Sequence, residues 1–306
     1  MSVSIAVIGE CMLELTQAPQ VSNSSSNGKP MNLNYGGDTL NTAVYLARKN
    51  TAVSYMTALG DDGMSDWLLE QWSAEGVDCS QVRRQAGGVP GMYLVTVAAD
   101  GERSFLYWRK NSPASQMFVV ESAAQSIAQS LAEFEYVYLS GISLAILDAD
   151  SLERLFGILE AYRADGGKVV FDGNYRPLLW PSVDHAKTAY QRMYRMTDIA
   201  LPTLEDEAEL FGYESAAEVM RAAVELGVKE VVVKQGALGC LSYFEGVSTT
   251  VDAQKVKAID TTAAGDSFNA GYLAARLAGD DVISACRAGH ELAGKVVQCR
   301  GAIIPI

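Results

Sequence analysis

The sequence predicts an α/β fold, with helices on both faces of a mostly parallel sheet and a small β element set to one side. Three observations carry this. Short apolar strands recur, each preceded by a stretch of helical spacing: YVYLSG at 136–141, KVVFDG at 168–173, DIALPT at 198–203 and EVVVKQG at 230–236. Continuous apolar strands alternating with helices are what a sheet covered on both faces requires. A hairpin pattern at 91–109 stands outside this rhythm. Finally, 306 residues with 49% hydrophobic and 20% charged composition suffice for one large domain.

In chain order, SIAVIG at 4–9 reads as a buried strand ended by glycine. SNSSSNG at 22–28 is a polar loop. TLNTAVYLARK after Gly37 has helical spacing, and VSYMTALG at 53–60 reads as a second strand. GMYLVTVAADGERSFLYWR at 91–109 places two alternating runs around Asp100-Gly101, a turn signal. CLSYFEGVSTTV at 240–251 is a further hairpin, and helical pattern fills about 281–298. The expectation is a single domain, 1–306, whose lid strands come from about 11–35 and 91–109.

Net charge is -13, with 24 basic and 37 acidic residues. This opposes broad binding to nucleic acid or to anionic membranes. A small anion must then be held by local Arg, Lys or backbone N–H groups. The five cysteines form no CxxC pair, and His185 and His290 have no metal-ligand spacing. The N-terminus has no basic leader, and nothing approaches 18 consecutive apolar residues. A soluble, cytoplasmic protein is expected.

Two nucleotide signatures fail. No G-x-G-x-x-G follows the first strand. GHELAGKV at 289–296 approaches a P-loop, but Val296 lacks the hydroxyl and the segment lies in helical pattern. DTTAAGDSFNAGY at 260–272 is more informative. Phe268, Gly271, Tyr272 and Ala275 repeat at helical spacing, so a helix starts near Gly265 or Asp266. Its first N–H groups are unsatisfied and carry the positive end of the dipole. Ala263, Ala264 and Gly265 let an anion approach the backbone. Asp266 either accepts a proton from a hydroxyl there or caps the helix.

That stretch resembles the C-terminal signature of the ribokinase-like (PfkB) sugar kinases. GGDTLNTA at 36–43 and ALGDDG at 58–63 resemble the family's N-terminal signature. The resemblance covers essentially the whole chain. It implies a three-layer α/β/α sandwich with a β-sheet lid that often mediates dimerisation, and ATP with Mg²⁺ as cofactors. Asp266 matches the general base, and Ala263, Ala264 and Gly265 the anion hole. Gly36, Gly37, Asp38 and Asn41 match the sugar-binding signature. The two glycines are expected to let substrate approach the backbone.

GISLAIL at 141–147, NYRPLLW at 174–180, the run ending at Arg109 and the tail RGAIIP are similar to the branch acting on 2-dehydro-3-deoxy-D-gluconate. This implies phosphorylation at the C6 hydroxyl. Arg109 and Arg176 are the expected carboxylate partners, converging across the cleft. Tyr93 and Tyr107 are expected to supply lid hydroxyls. Asn174, Lys234, Gly236 and Gly239 are the nucleotide candidates. One departure stands out: where the family has N-x-x-E, this chain reads PTLEDE at 202–207, with Thr203 in place of Asn. Asp206 or Glu207, beside Glu205, is expected to serve Mg²⁺ through water. The resemblance also allows a monovalent cation such as K⁺ near Asp260 and Thr262. Kinases of fructose, ribose or a nucleoside, and a silent sensor of the same fold, remain alternatives.

Overall fold

The computed structural model describes residues 4–18, 29–97 and 103–305. The polar loop at 22–28 and the turn pair at 100 and 101 lie outside them. The chain opens with β1 (Ser4–Ile8), β2 (Met12–Gln17), β3 (Met31–Gly36), α1 (Asp38–Arg48) and β4 (Ala52–Met56). Next come β5 (Ala58–Gly60), α2 (Gly63–Ala74), β6 (Arg83–Gln85) and the hairpin β7 (Gly91–Val97) and β8 (Arg103–Trp108). Alternation follows: α3 (Glu121–Leu131), β9 (Tyr136–Ser140), α4 (Gly141–Ala145), α5 (Ala149–Ala164), β10 (Lys168–Asp172) and α6 (Val183–Arg195). It continues through β11 (Ile199–Ala200), α7 (Leu204–Phe211), α8 (Ala216–Glu225) and β12 (Glu230–Lys234). The last elements are β13 (Cys240–Phe244), β14 (Val247–Val251), α9 (Ala264–Leu277) and α10 (Val282–Val296).

The main sheet has eight strands in the order β14-β13-β12-β11-β10-β9-β1-β4. From β4 to β12 every pairing is parallel, and β13 and β14 add an antiparallel edge. Strand alternation explains the three layers. Ile8, Val137, Leu139, Val169, Phe171 and Val233 join one apolar core, with side chains of α3, α5, α6 and α8. Ile5, Val7, Tyr138, Val170 and Val232 join the other, with α1, α2, α9 and α10. Both faces are covered, so the strands read as continuous apolar runs. The near-P-loop segment lies inside α10, where no phosphate loop can form.

A second sheet, β3-β2-β7-β8, forms the lid. The expected strand at 53–60 is in fact two. After Met56 the chain leaves the main sheet, and β5 pairs with β6 instead. Gly60 permits this crossing: a Cβ there would lie 1.8 Å from the Gly88 carbonyl oxygen. Among the described residues no helix is long and apolar enough to cross a membrane. All five cysteines are free thiols; Cys11, Cys240 and Cys286 are buried.

Candidate active site

Parallel strands deliver their C-terminal ends, and the loops after them, to one edge of the sheet, where open α/β folds place ligands. Here that edge holds Ser140, Asp172 and Lys234, the last residues of β9, β10 and β12. The starts of α1 and α9 lie over it. Asp38, Asn41 and Thr42 share a face of α1 at helical spacing, and Asp266 and Asn269 share a face of α9. The two faces meet. Asn41 Nδ2 donates to Asp266 Oδ2 at 2.8 Å, and Thr42 Oγ1 donates to the Asp266 carbonyl at 3.3 Å.

The turn into α9 is held open by the chain's own bonds. Asp260 Oδ1 accepts from the Thr262 N–H and hydroxyl, and its Oδ2 from the Gly301 N–H. Ala263 then adopts a left-handed conformation, φ 59°, which costs a non-glycine residue roughly 1 kcal/mol. Asp266 is not the helix cap, since no side chain caps α9. Its carboxylate turns to Asn41 instead. The Ala264 N–H is spent on the Thr261 carbonyl, 3.1 Å away, so Ala264 is not available as an anion-hole donor. Gly265 and Asp266 have no helical residue four places back, so their N–H groups head the helix free of the ladder.

Beneath them lies a buried polar network that the sequence reading missed. Lys234 Nζ donates to Asp172 Oδ1 and to Asn269 Oδ1, both at 3.0 Å. Asn269 Nδ2 donates to Asp172 Oδ2 at 2.9 Å. Tyr138, from β9, accepts from Asn269 Nδ2 at 3.1 Å. Lys234 Nζ would lie 3.5 Å from a Cβ on Gly265, directly under the helix start. The signals were faint: an Asp closing an apolar strand, and an Asn on a buried helix face.

The electrostatics follow from this crowding. Burial, and then the nearby Asp38, push the Asp266 carboxyl up to about 8, while Asn41 and Lys234 oppose the rise. Asp266 keeps partial exposure to the cleft, and water reaching it there favours the charged form and limits the shift. Burial raises the Asp38 carboxyl as well, and Asn174 Nδ2 answers it at 2.7 Å. Asn174 therefore sits against the sugar-signature aspartate, although the sequence reading grouped it with the nucleotide.

Other expectations change in detail. The space beside Gly37 is filled by this chain: a Cβ would lie 2.3 Å from the Glu10 carbonyl oxygen. A Cβ on Gly36 would meet the Tyr93 hydroxyl at 2.8 Å. Both glycines are needed for packing within the chain, Gly37 against the loop after β1 and Gly36 against the lid. The Tyr93 hydroxyl donates to Glu14, while Tyr107 stays half exposed beside the Tyr93 ring. Arg109 and Arg176 are each tied to an acid. Arg109 pairs with buried Glu10, which also accepts from Ser112. Arg176 Nη1 lies 3.2 Å from Asp206 Oδ1.

In the acidic segment Glu205 is exposed, Asp206 faces Arg176, and Glu207 is buried. Glu207 accepts from Tyr194, and burial pushes its carboxyl up to about 8. It fits a core hydrogen bond and not a metal, which corrects the expectation for that residue. Asp206, partly open, fits a water-mediated contact to Mg²⁺. Lys234 is 7% exposed and gives two of its three N–H donors to Asp172 and Asn269, so it belongs first to the network beneath the helix start. Gly236, φ 55°, leaves open space in the following loop, whereas Gly239, φ 102°, is required because a Cβ would lie 2.2 Å from the Val251 carbonyl oxygen. A cavity of about 470 Å³ opens elsewhere, at the opposite edge of the sheet. The site above is an open cleft under the lid, and its chemistry, not cavity size, marks it.

This arrangement, a helix start facing a cleft with a carboxylate beside it, has the parts that a phosphotransferase needs on an α/β sheet. The family model for pfkB carbohydrate kinases matches residues 3–306, and the chain belongs to that family. It is similar to the 2-dehydro-3-deoxygluconokinase of Escherichia coli K12, 47% identical over 313 residues, covering 100% of this chain and 98% of the relative. The enzyme of that name from Dickeya dadantii is 46% identical, with 99% and 97% covered. Among solved structures, a PfkB protein from Polaromonas sp. JS666 superposes with a TM-score of 0.85 at 29% identity, covering 97% and 96% of the two chains.

Proposed function

We infer that the chain is a 2-dehydro-3-deoxygluconokinase. It transfers the γ-phosphoryl group of ATP to the C6 hydroxyl of 2-dehydro-3-deoxy-D-gluconate, giving the 6-phosphate and ADP. The observation that carries the chemistry is the contact between Asn41 and Asp266, which joins the sugar signature on α1 to the base at the start of α9. Asp266 takes the C6 hydroxyl proton as the phosphoryl group arrives. The N–H groups of Gly265 and Asp266 and the dipole of α9 stabilise its developing charge. Asp38, with Asn174, and Asn41 bind sugar hydroxyls; Asn41 Oδ1 is buried with no donor in the protein and suits one. Arg109, fixed by Glu10, and Arg176 face the carboxylate, and Tyr93 and Tyr107 line the lid.

ATP lies along the loop containing Gly236. Mg²⁺ would supply charge neutralisation on the phosphates, and Asp206 is the carboxylate that would hold it through water. A monovalent cation near Asp260 and Thr262 is tested by comparing rates in K⁺ and Na⁺. The enzyme works in the cytoplasm, where ATP is supplied.

The lid also supports a homodimer. Cross-strand register puts Leu15, Leu33, Leu94, Leu106 and Trp108 on one face and Glu14, Asn34, Tyr93 and Tyr107 on the other. Leu106 and Trp108 are more than half exposed, so this apolar face needs a cover, and a second lid supplies one.

The test is to incubate the chain with ATP, Mg²⁺ and 2-dehydro-3-deoxy-D-gluconate and to locate the phosphate by carbon–phosphorus coupling. The coupling is expected at C6. Phosphate at another carbon, or no product, would refute the assignment.

A further inference from the structure

The strands also begin at an edge that carries a cavity. Tyr136, Lys168, Ile199 and Glu230, which begin β9, β10, β11 and β12, line a cavity of about 470 Å³. The catalytic candidates lie at the other ends of these strands, so the cavity is separate from the cleft. Its volume falls in the range of small-molecule sites.

Four cations from four segments converge on it: Arg163 from α5, Lys168, Lys229 and Arg276 from α9. In a chain of net charge -13 such a gathering stands out. The two acids in the wall are already satisfied. Asp198 accepts from Arg163 at 3.2 and 3.3 Å and from the Val169 N–H at 2.9 Å. Glu230 accepts from Arg276 at 2.6 and 3.0 Å and from Tyr272. Lys168 meets Glu135 and Tyr136 at 3.1 Å, at a half-exposed position where pairing is weak. Lys229 is 76% exposed and only 4.0 Å from Asp198. Counting Glu135 beside Lys168, the cluster holds one cation more than acids. Lys229 has no closer acid among the described residues, and an entering anion can draw Lys168 from its exposed partner at little cost. Tyr136 and Phe244 back the cations, with Lys168 over one ring and Arg276 over the other.

We propose that this cavity binds the phosphate group of a small phosphorylated molecule, held by Lys168 and Lys229 with Arg163 and Arg276 behind them. Lysine suits this as a mobile point charge, and a phosphate dianion gains more from two ammonium groups than a carboxylate does. The inference stands whether or not the substrate assignment does.

The experiment is an amide NMR titration of the full chain with inorganic phosphate, free of Mg²⁺, beside a chloride titration at matched ionic strength. Saturable shifts are expected at Gly166, Gly167 and Lys168, and they persist in Asp266→Asn. Lys168→Ala with Lys229→Ala should weaken this binding about tenfold or more. Lys229→Ala alone, at an exposed position, leaves the fold intact and weakens it severalfold. Shifts equal to those from chloride, shifts confined to Gly265 and Asp266, or affinity unchanged in both variants would overturn the proposal.

Discussion

Asp266 concentrates the residue-scale argument. It is a carboxylate against a helix start, near Asp38 and Asp172, with Asn41 and Lys234 holding the charged form. A base must be unprotonated, so kcat/KM should rise with pH, with a midpoint at or below about 8. Asp266→Asn removes the acceptor and should reduce kcat about 10²–10⁴-fold with ATP affinity little changed. Activity within a few-fold of the parent would remove Asp266 from the role. Lys234→Met tests the network beneath. It takes away a cation that favours ionised Asp266, so the rising limb should move to higher pH. It also strands buried Asp172, and should cost about 3–5 kcal/mol in denaturant unfolding. A limb that stays in place would show that Lys234 serves packing alone.

At the scale of elements, specificity is assigned to the lid hairpin and alignment to the α1–α9 pair. Arg109 lies just past β8 and reaches buried Glu10 in the loop after β1, linking lid to sheet. Arg109→Ala should raise KM for the sugar acid about tenfold or more. Glu10→Gln keeps the shape but loosens the guanidinium, and should raise KM less. Equal KM in both variants and the parent would exclude this route to the carboxylate.

Much of this scale was legible in the sequence. The small residues before Asp266 and the spacing after it mark the start of α9. The alternation at 91–109 marks a hairpin outside the main sheet. Other features depend on partners remote in sequence. Gly37 is glycine because the Glu10 backbone passes beside it, and the run at 53–60 divides because Ala58 pairs with Arg83. An Asp at the end of an apolar strand looks like a boundary until Lys234 and Asn269 are brought to it by folding.

For the whole molecule, two carboxyls, buried Glu207 and partly buried Asp266, set a stability pattern. Asp266 and Glu207 are both raised to about 8 in the folded chain, against about 4 when unfolded. Below about pH 4 both states hold these protons; between 4 and 8 only the folded state does. Stability from these groups is therefore present at low pH and falls as pH rises toward 8. Asp266→Asn cannot ionise, so its Tm should gain on the parent across that window. A gap that stays constant with pH would refute the shift. The apolar lid face makes a second prediction: Leu106→Asp should convert a dimer to monomer by analytical ultracentrifugation, whereas a monomeric parent would exclude the lid as a dimer surface.

The central claim joins phosphoryl transfer to a carboxylate-bearing acceptor. ADP release, with ATP and Mg²⁺, should be compared across 2-dehydro-3-deoxy-D-gluconate, its galactonate epimer, gluconate, fructose and ribose. A kcat/KM for the first compound exceeding those for fructose and ribose by about 10²-fold or more is the predicted result. Preference for a neutral sugar would keep Asp266 as the base and contradict the substrate; no ADP from any compound would contradict the reaction itself.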